Sequence, residues 1–210
     1  MKHRGILTVL SGFSGSGKGT IMKELLSRHQ GYALSVSATT RQPREGEVHG
    51  REYFFVSQER FQEMIRQGEL LEYAQYVDNY YGTPRSYVLE QLEQGKDVIL
   101  EIEIQGARKI RQQFPDALLV FVTPPSAQEL LRRLSGRGTE TEEVIRARMR
   151  RAVQESEGME DYDCILVNDE LDACVSQLHS LIRSWHLRTE NNGDFIRQMK
   201  EELNQLQEIQ

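Results

Sequence analysis

Nine consecutive residues near the start carry chemistry that orients the reading of the whole chain. Gly12-Phe13-Ser14-Gly15-Ser16-Gly17-Lys18-Gly19-Thr20 has the spacing of a phosphate-binding loop, G-x4-G-K. Glycines let the backbone curl so that consecutive N–H groups point inward, the following helix adds positive potential at its N-terminus, and Lys18 supplies a cation for β- and γ-phosphates. The context agrees: Ile6–Leu10 is a short β-prone run before the loop, and Lys18–His29 places Ile21, Met22, Leu25 and Leu26 at helical spacing after it. One position departs from the pattern. A Ser or Thr directly after the lysine would ligate Mg²⁺, and Gly19 stands there with Thr20 one place later. Mg²⁺ keeps much of its hydration shell, so it is expected on the triphosphate, waters and a carboxylate instead.

A second cluster follows in the stretch from Ser35 to Tyr53. Arg41 and Arg44 lie three apart beside Pro43, followed by Glu47 and Tyr53. Arginine pairs phosphate oxygens bidentately, a tyrosine hydroxyl adds a neutral donor, and a nearby acid can hold an arginine in place. Beside a phosphate loop, this reads as a site for a small dianion. Further on, Glu101 and Glu103 sit two apart in the run Val98–Ile104, which as a strand would turn both carboxylates to one face near its carboxyl end.

The elements that must position these residues follow from composition and periodicity. The chain has 210 residues, 38% of them hydrophobic, which suits one compact domain or a core with small inserted lobes. Its net charge of −6, from 26 Lys+Arg against 32 Asp+Glu, disfavours general nucleic-acid binding. The two cysteines, Cys164 and Cys174, match no metal spacing, and Ile6–Leu10 is too short for a signal or membrane segment, so a cytoplasmic protein is expected. Val98–Ile104, Leu118–Val122 and Cys164–Val167 read as strands buried on both faces. Capping-box spacing at Ser126–Glu129 and Thr139–Glu142 predicts helices over about 127–134 and 140–157, and Leu171–Leu187 makes another. This alternation predicts an α/β fold, a parallel sheet flanked by helices with ligands at the carboxyl ends of its strands. The stretch Ala33–Gly95 differs, with short alternating segments such as Arg51–Val56 and Leu71–Tyr76 between turn residues, and predicts an inserted α+β lobe. Beyond Asn191-Asn192-Gly193, the stripe Ile196, Met199, Leu203 and Leu206 reads as a loosely docked amphipathic helix, with self-association as the alternative.

The ordered motifs identify a family resemblance. Ser35-Val36-Ser37-Ala38-Thr39-Thr40-Arg41-Gln42-Pro43-Arg44-Glu45-Gly46-Glu47 is followed by Tyr53-Phe54-Phe55-Val56, Glu72 and Asn79-Tyr80-Tyr81-Gly82-Thr83. Gly136-Arg137-Gly138-Thr139-Glu140-Thr141-Glu142 and Val167-Asn168-Asp169 come next. From about Ile6 to about Trp185 the chain resembles guanylate kinases. The resemblance implies a P-loop core (1–32, 96–125, 159–190), a GMP-binding lobe (about 33–95), a helical lid (about 126–158) and a tail (191–210). It implies ATP-dependent conversion of GMP to GDP in purine nucleotide metabolism, with Mg²⁺, with dGMP left open as a second acceptor and without a nucleic-acid or membrane partner. The alternative is a non-catalytic phosphopeptide-binding module of the same fold.

By the same resemblance Arg41, Arg44, Tyr53 and Tyr81 bind the GMP phosphate with Glu47 supporting them, while Ser37, Glu72 and Thr83 face the guanine. Guanine offers two adjacent N–H donors and one carbonyl, which suits the acceptor-only carboxylate of Glu72 with a hydroxyl of Ser37 or Thr83 donating to O6. Adenine would set a lone pair against that carboxylate. Glu103 is assigned to the guanine side, and Glu101 to the metal or an active-site arginine. Arg132–Thr139 resembles the basic lid of nucleoside monophosphate kinases, bringing Arg137 and Arg148 onto the ATP phosphates, with Arg133 near them and Arg148 also reaching the acceptor. The catalytic set is then Lys18, Arg41, Arg137 and Arg148. Arg146, Arg150 and Arg151 are read as solvated helix surface. Asn168 is placed beside the adenine. The acceptor oxygen is already anionic, so no general base is needed and His49 is a turn residue.

Overall fold

The apolar runs become strands because each has to fill two cores at once. In the computed structural model, which describes residues 4–76, 78–136 and 141–207, β1 (Leu7–Gly12) sends Leu10 to one face of a sheet and Leu7 and Val9 to the other. The phosphate loop leads from β1 into α1 (Lys18–Arg28) and β2 (Tyr32–Leu34). The chain then builds β3 (Ala38–Thr39), β4 (Phe54–Phe55), α2 (Gln58–Arg66), β5 (Leu70–Tyr76) and β6 (Asn79–Pro84). It returns through α3 (Arg85–Glu93) to β7 (Asp97–Glu101), α4 (Ile104–Gln113) and β8 (Leu118–Thr123). α5 (Ala127–Ser135), α6 (Glu142–Ser156), β9 (Cys164–Val167), α7 (Leu171–Trp185) and α8 (Gly193–Gln207) complete it.

Among the described residues the core sheet has the order β2-β7-β1-β8-β9, and every pairing in it is parallel. Leu10, Ile99, Val120 and Val122 on one face meet Ile21 and Leu25 of α1 and Val175, Leu178 and Ile182 of α7. On the other face Val9, Val98, Leu100 and Leu119 meet Val88 and Leu92 of α3 and Ala107 and Ile110 of α4. Burying both faces demands continuous apolar strands, which is how they read in the sequence. The lobe carries its own sheet, β4-β3-β6-β5, packed on Phe61 and Met64 of α2. α5 and α6 rest on the core through Phe13, Phe121, Leu130, Leu134 and Ala152, with the Phe13 and Phe121 rings edge to face at 5.0 Å.

Two boundaries differ from the sequence reading. β2, which opens the stretch read as lobe, is an edge strand of the core sheet. More consequentially, β7 stops at Glu101, and Glu103 is the extended residue that begins α4. Glu101 and Glu103 therefore do not share one strand face. Ala107 and Ile110, one turn apart on α4, bury themselves in the second core, and that helical spacing pulls the chain out of the strand before Ile104.

The cap at Ser126 is present, its Oγ accepting from the N–H of Glu129. The cap of α6 is Thr141, whose Oγ accepts from Val144; Thr139 lies outside the described residues. The tail helix α8 buries none of its residues and leaves Met199, Leu203 and Leu206 exposed. No helix among the described residues is long and apolar enough to cross a membrane.

Candidate active site

The sheet register brings the first two clusters together. Leu10 pairs with Glu101, and Gly12 pairs with Val122, so the phosphate loop rises from the carboxyl end of β1 with Glu101 alongside it. Gly12 and Gly17 have φ of 147° and 92°, in the left-handed region. A Cβ at Gly12 would stand 2.1 Å from the carbonyl oxygen of Val122, and one at Gly17 would stand 2.4 Å from the amide nitrogen of Asn168. Only glycine gives both the turn and the close approach. Lys18 Nζ donates to the carbonyls of Gly12 (2.9 Å) and Phe13 (3.2 Å), curled back over its own loop. Burial lowers its pKa, and Glu101, Glu155 and Glu103 oppose that by favouring the ammonium.

The loop is braced from behind. The buried Asn168, just after β9, donates from Nδ2 to the carbonyl of Ser16 (2.8 Å). Its own carbonyl accepts from Arg133 Nη2 (2.9 Å), and Arg133 Nε is held by Glu129 (2.7 Å). Arg132 and Arg133 together bring the Glu129 carboxyl down to about 2. Both Asn168 and Arg133, read as ATP-binding residues, are thus seen here shaping the loop. Arg148 of α6 reaches it from the front, donating from Nη1 to Ser14 Oγ (3.1 Å). Gly15 and Ser16 complete the loop, while Gly19 and Thr20 open α1 in exposed positions. Arg137 lies outside the described residues.

In the lobe, Arg41 Nη2 spans both oxygens of Glu47 at 2.8 and 2.9 Å, and Glu47 also accepts from the backbone N–H of Arg44 (2.7 Å). The bond to Arg41, with the Arg44 N–H after it, holds the Glu47 carboxyl below the usual range, and Glu47 in turn raises Arg41. The Arg41 guanidinium lies 5.4 Å from the centre of the Tyr53 ring, which meets Tyr81 edge to face at 5.9 Å. Arg44 itself is exposed. Arg41, Glu47 and Tyr53, grouped in the sequence by spacing, and Tyr81, placed with them by the family resemblance, form one cluster.

The guanine-side residues owe their placement to an irregularity. Between Leu70 and Tyr73 the register of β5 against β6 shifts by one residue, so the adjacent Leu71 and Glu72 are both buried. The Glu72 carboxylate accepts from Thr83 Oγ (2.7 Å). Burial raises its pKa, with the Thr83 bond and Lys109 acting in the opposite sense. Thr83 thus spends its hydroxyl proton orienting the carboxylate, which leaves Ser37, half-buried ahead of β3, as the hydroxyl for a carbonyl. Gly106 of α4 permits this packing, since a Cβ there would come 3.1 Å from Glu72 Oε2.

Both halves face one cleft of about 650 Å³, lined by Gly12, Ser14 and Lys18 on one side, Tyr53 and Glu101 on another, and Arg148 above. Tyr53 and Glu101 also wall an adjoining hollow with Ser37 and Glu47, so the two cavities meet at these two residues. Burial raises the Glu101 carboxyl, with Lys18 opposing.

The sequence matches the guanylate kinase family model over residues 4–185. The chain belongs to the guanylate kinase family. A guanylate kinase from Halalkalibacterium halodurans is 51% identical over 189 residues, covering 90% of this chain and 93% of the relative. One from Caldanaerobacter subterraneus is 45% identical over 202 residues, covering 96% and 98%. The crystal structure of guanylate kinase from Anaplasma phagocytophilum superposes with a TM-score of 0.71 at 31% identity, covering 90% of this chain and 89% of that one.

Three features of this guanylate kinase fold were not read from the sequence. Gly106 carried a signal, a glycine inside a helical pattern. Glu155, half-buried beside Lys18, and Arg151, which bonds it, were hidden in a helix dense with charge. Two outcomes follow. Asn168→Ala leaves the buried Ser16 carbonyl without its donor, which costs about 1–3 kcal/mol of folding stability and raises the KM for ATP, as read by denaturant melts and initial rates. The second concerns pH. A carboxylate with a raised pKa takes up its proton sooner as pH falls, so GMP affinity drops through that range in the native protein, while Glu72→Gln shows no such component. Titration of the GMP phosphate is common to both proteins, and the difference between their pH–KM profiles isolates Glu72.

Proposed function

We propose that this guanylate kinase transfers the γ-phosphoryl group of ATP to a phosphate oxygen of GMP, giving ADP and GDP, with the residue roles that follow. The observation that carries the reading is the shared cleft, which puts Lys18 and the loop N–H groups on one side and Tyr53 and Glu101 of the acceptor side on another. ATP phosphates occupy the glycine cradle, where Lys18 exchanges its loop carbonyls for β- and γ-oxygens. GMP places its phosphate on Arg41, Arg44, Tyr53 and Tyr81, with Glu47 fixing Arg41. Its base enters toward Glu72, whose carboxylate accepts from N1–H and the 2-amino group, while Ser37 donates to O6.

Phosphoryl transfer asks for alignment and for neutralisation of charge on the moving group. Lys18 and Arg148 lie along the cleft to supply it, and the GMP oxygen attacks as an anion, so no side chain removes a proton. Mg²⁺ suits the donor set as a passenger on ATP: Gly19 offers no side-chain oxygen, and Glu101, close enough to act on the Lys18 ammonium, is the carboxylate that would hold one of its waters. When bound it neutralises charge on the β- and γ-phosphates. We place the enzyme in a reducing, cytoplasmic compartment, consistent with Cys164 and Cys174 as free thiols. The phosphopeptide-binding alternative gains no support, since the relatives bear the name guanylate kinase and the Lys18 loop is intact.

A coupled assay of ADP release, with ATP, Mg²⁺ and each of GMP, AMP, CMP and UMP, tests the reading. Turnover with GMP at rates far above the other three is expected, and Lys18→Ala lowers kcat by roughly 10²–10³-fold or more. Glu72→Gln narrows the GMP-to-AMP preference by about tenfold or more, through loss of a charge-assisted bond in a buried pocket. Equal turnover of AMP and GMP by the native protein would sink the assignment.

A further inference from the structure

β5 is the outermost strand of the lobe sheet, paired only with β6 among the described residues, so one row of its backbone groups has no strand beside it. α4 of the core reaches that open edge. Lys109 Nζ donates to the carbonyl of Tyr73 (3.1 Å), and Gln113 Nε2 donates to the carbonyl of Leu71 (2.7 Å). These carbonyls belong to the residues on either side of Glu72, inside the stretch where the register of β5 shifts. Lys109 also lies over the Tyr73 ring, its Nζ 4.7 Å from the centre. Gln113 is itself oriented by Arg85 of α3, whose Nη2 donates to its Oε1 (2.6 Å).

Spacing on α4 explains how one helix meets all three residues. Gly106, Lys109 and Gln113 follow one another at three and then four positions, which sets them on one helix face. Gly106 brings the helix backbone against the Glu72 carboxylate, Lys109 takes the carbonyl after that residue, and Gln113 takes the carbonyl before it. A bulge disrupts the ladder locally, so the sheet by itself fixes Glu72 less firmly than it fixes a residue in a regular strand. The two donors from α4 supply fixation from outside the sheet.

We infer that Lys109 and Gln113 are positioning residues for base selection, clamping the bulge of β5 on both sides of Glu72 so that its carboxylate is held where the guanine N–H groups arrive. The inference deepens the function proposed above and rests on GMP being the acceptor. Lys109 adds a charge to the clamp. Burial is the main influence on the Glu72 carboxyl and raises it; of the charged groups acting on it, Lys109 favours the carboxylate and Glu103, at the start of α4, the neutral acid. β6 contributes the uncharged Thr83 hydroxyl and N–H, which also favour the carboxylate. Gln113 brings no charge, so the two clamp residues share a geometric role and differ in an electrostatic one.

The test measures the Kd for GMP by calorimetry across the acid and neutral range, and the KM for ATP by initial rates. The proteins are the native chain, Lys109→Met, Lys109→Arg, Gln113→Leu, Glu72→Gln and the double variant Glu72→Gln/Lys109→Met. At neutral pH, Lys109→Met and Gln113→Leu are each expected to weaken GMP about fivefold, the effect of one hydrogen bond, while the KM for ATP moves less than about twofold. Removing the Lys109 charge raises the Glu72 carboxyl further, so as pH falls Lys109→Met loses GMP affinity at a higher pH than the native protein does. Gln113→Leu keeps the native pH dependence, and titration of the GMP phosphate is common to every protein. Lys109→Arg retains a charged donor and stays within about twofold of native. On the Glu72→Gln background, Lys109→Met adds less than about twofold. Unchanged GMP affinity in either single variant, a parallel loss for ATP, a native pH profile in Lys109→Met, or the full loss repeated on the Glu72→Gln background would overturn the inference alone. A native protein that binds no GMP would overturn the function proposed above together with it.

Discussion

A triphosphate and a monophosphate have to be pressed together, and their mutual repulsion is the constraint around which this chain is built. Unit charges about 4 Å apart interact by about 4 kcal/mol at the effective dielectric near a protein surface, and each reactant carries more than one. Cations must therefore converge on the gap from more than one element. On the proposed assignment they are Lys18 from the start of α1, Arg41 from the loop after β3 and Arg148 from α6. No single local motif could surround the gap, so a core, a lobe and a helical cover have to fold against one another. The cluster around Val98, which takes in Leu71 of the lobe, and the one around Phe121, which takes in Leu130 and Ala152, join them, while the cluster around Phe61 makes the lobe rigid in itself.

Gathering cations before the anions arrive creates an opposite problem, because unpaired guanidinium groups repel one another. The chain answers by giving its cations carboxylate partners: Arg41 with Glu47, Arg133 with Glu129, Arg151 with Glu103 and Glu155. Lys18 instead rests on backbone carbonyls, with Glu101 nearby. These pairs are surface or cleft pairs whose intrinsic stabilisation is small. Their value lies in geometry. A guanidinium fixed on one edge by a carboxylate presents its remaining N–H groups in a set direction, and Arg41, wedged between Glu47 and the Tyr53 ring, is the clearest instance.

What the sequence disclosed divides along the same line between local and non-local geometry. The phosphate loop was legible because its strand, glycines, lysine and helix are contiguous, and the Arg41–Glu47 pair because its members lie six positions apart. The buried parallel strands were legible as unbroken apolar runs. Features that depend on register or on tertiary packing were not. The bulge that buries Glu72 arises from a one-residue mismatch between β5 and β6. The end of β7 at Glu101 follows from where α4 meets the second core, so the apolar Ile102 and Ile104 extended the apparent strand past its real limit. Arg151 was lost among the neighbouring arginines of α6 because only the fold shows which of them faces Glu103.

On the proposed assignment, selectivity for the base rests on a different physical device from charge neutralisation. Glu72 is a buried carboxylate, and burial alone pushes it toward the neutral form. The Thr83 hydroxyl and backbone N–H moderate this and fix the carboxylate's orientation. Guanine supplies two adjacent N–H donors. Adenine brings an acceptor at the same point and would leave the carboxylate facing a lone pair, a mismatch whose penalty grows as the site excludes water. On the proposed assignment guanine satisfies this carboxylate and adenine does not, so the base is chosen by the pocket and not by the phosphate chemistry.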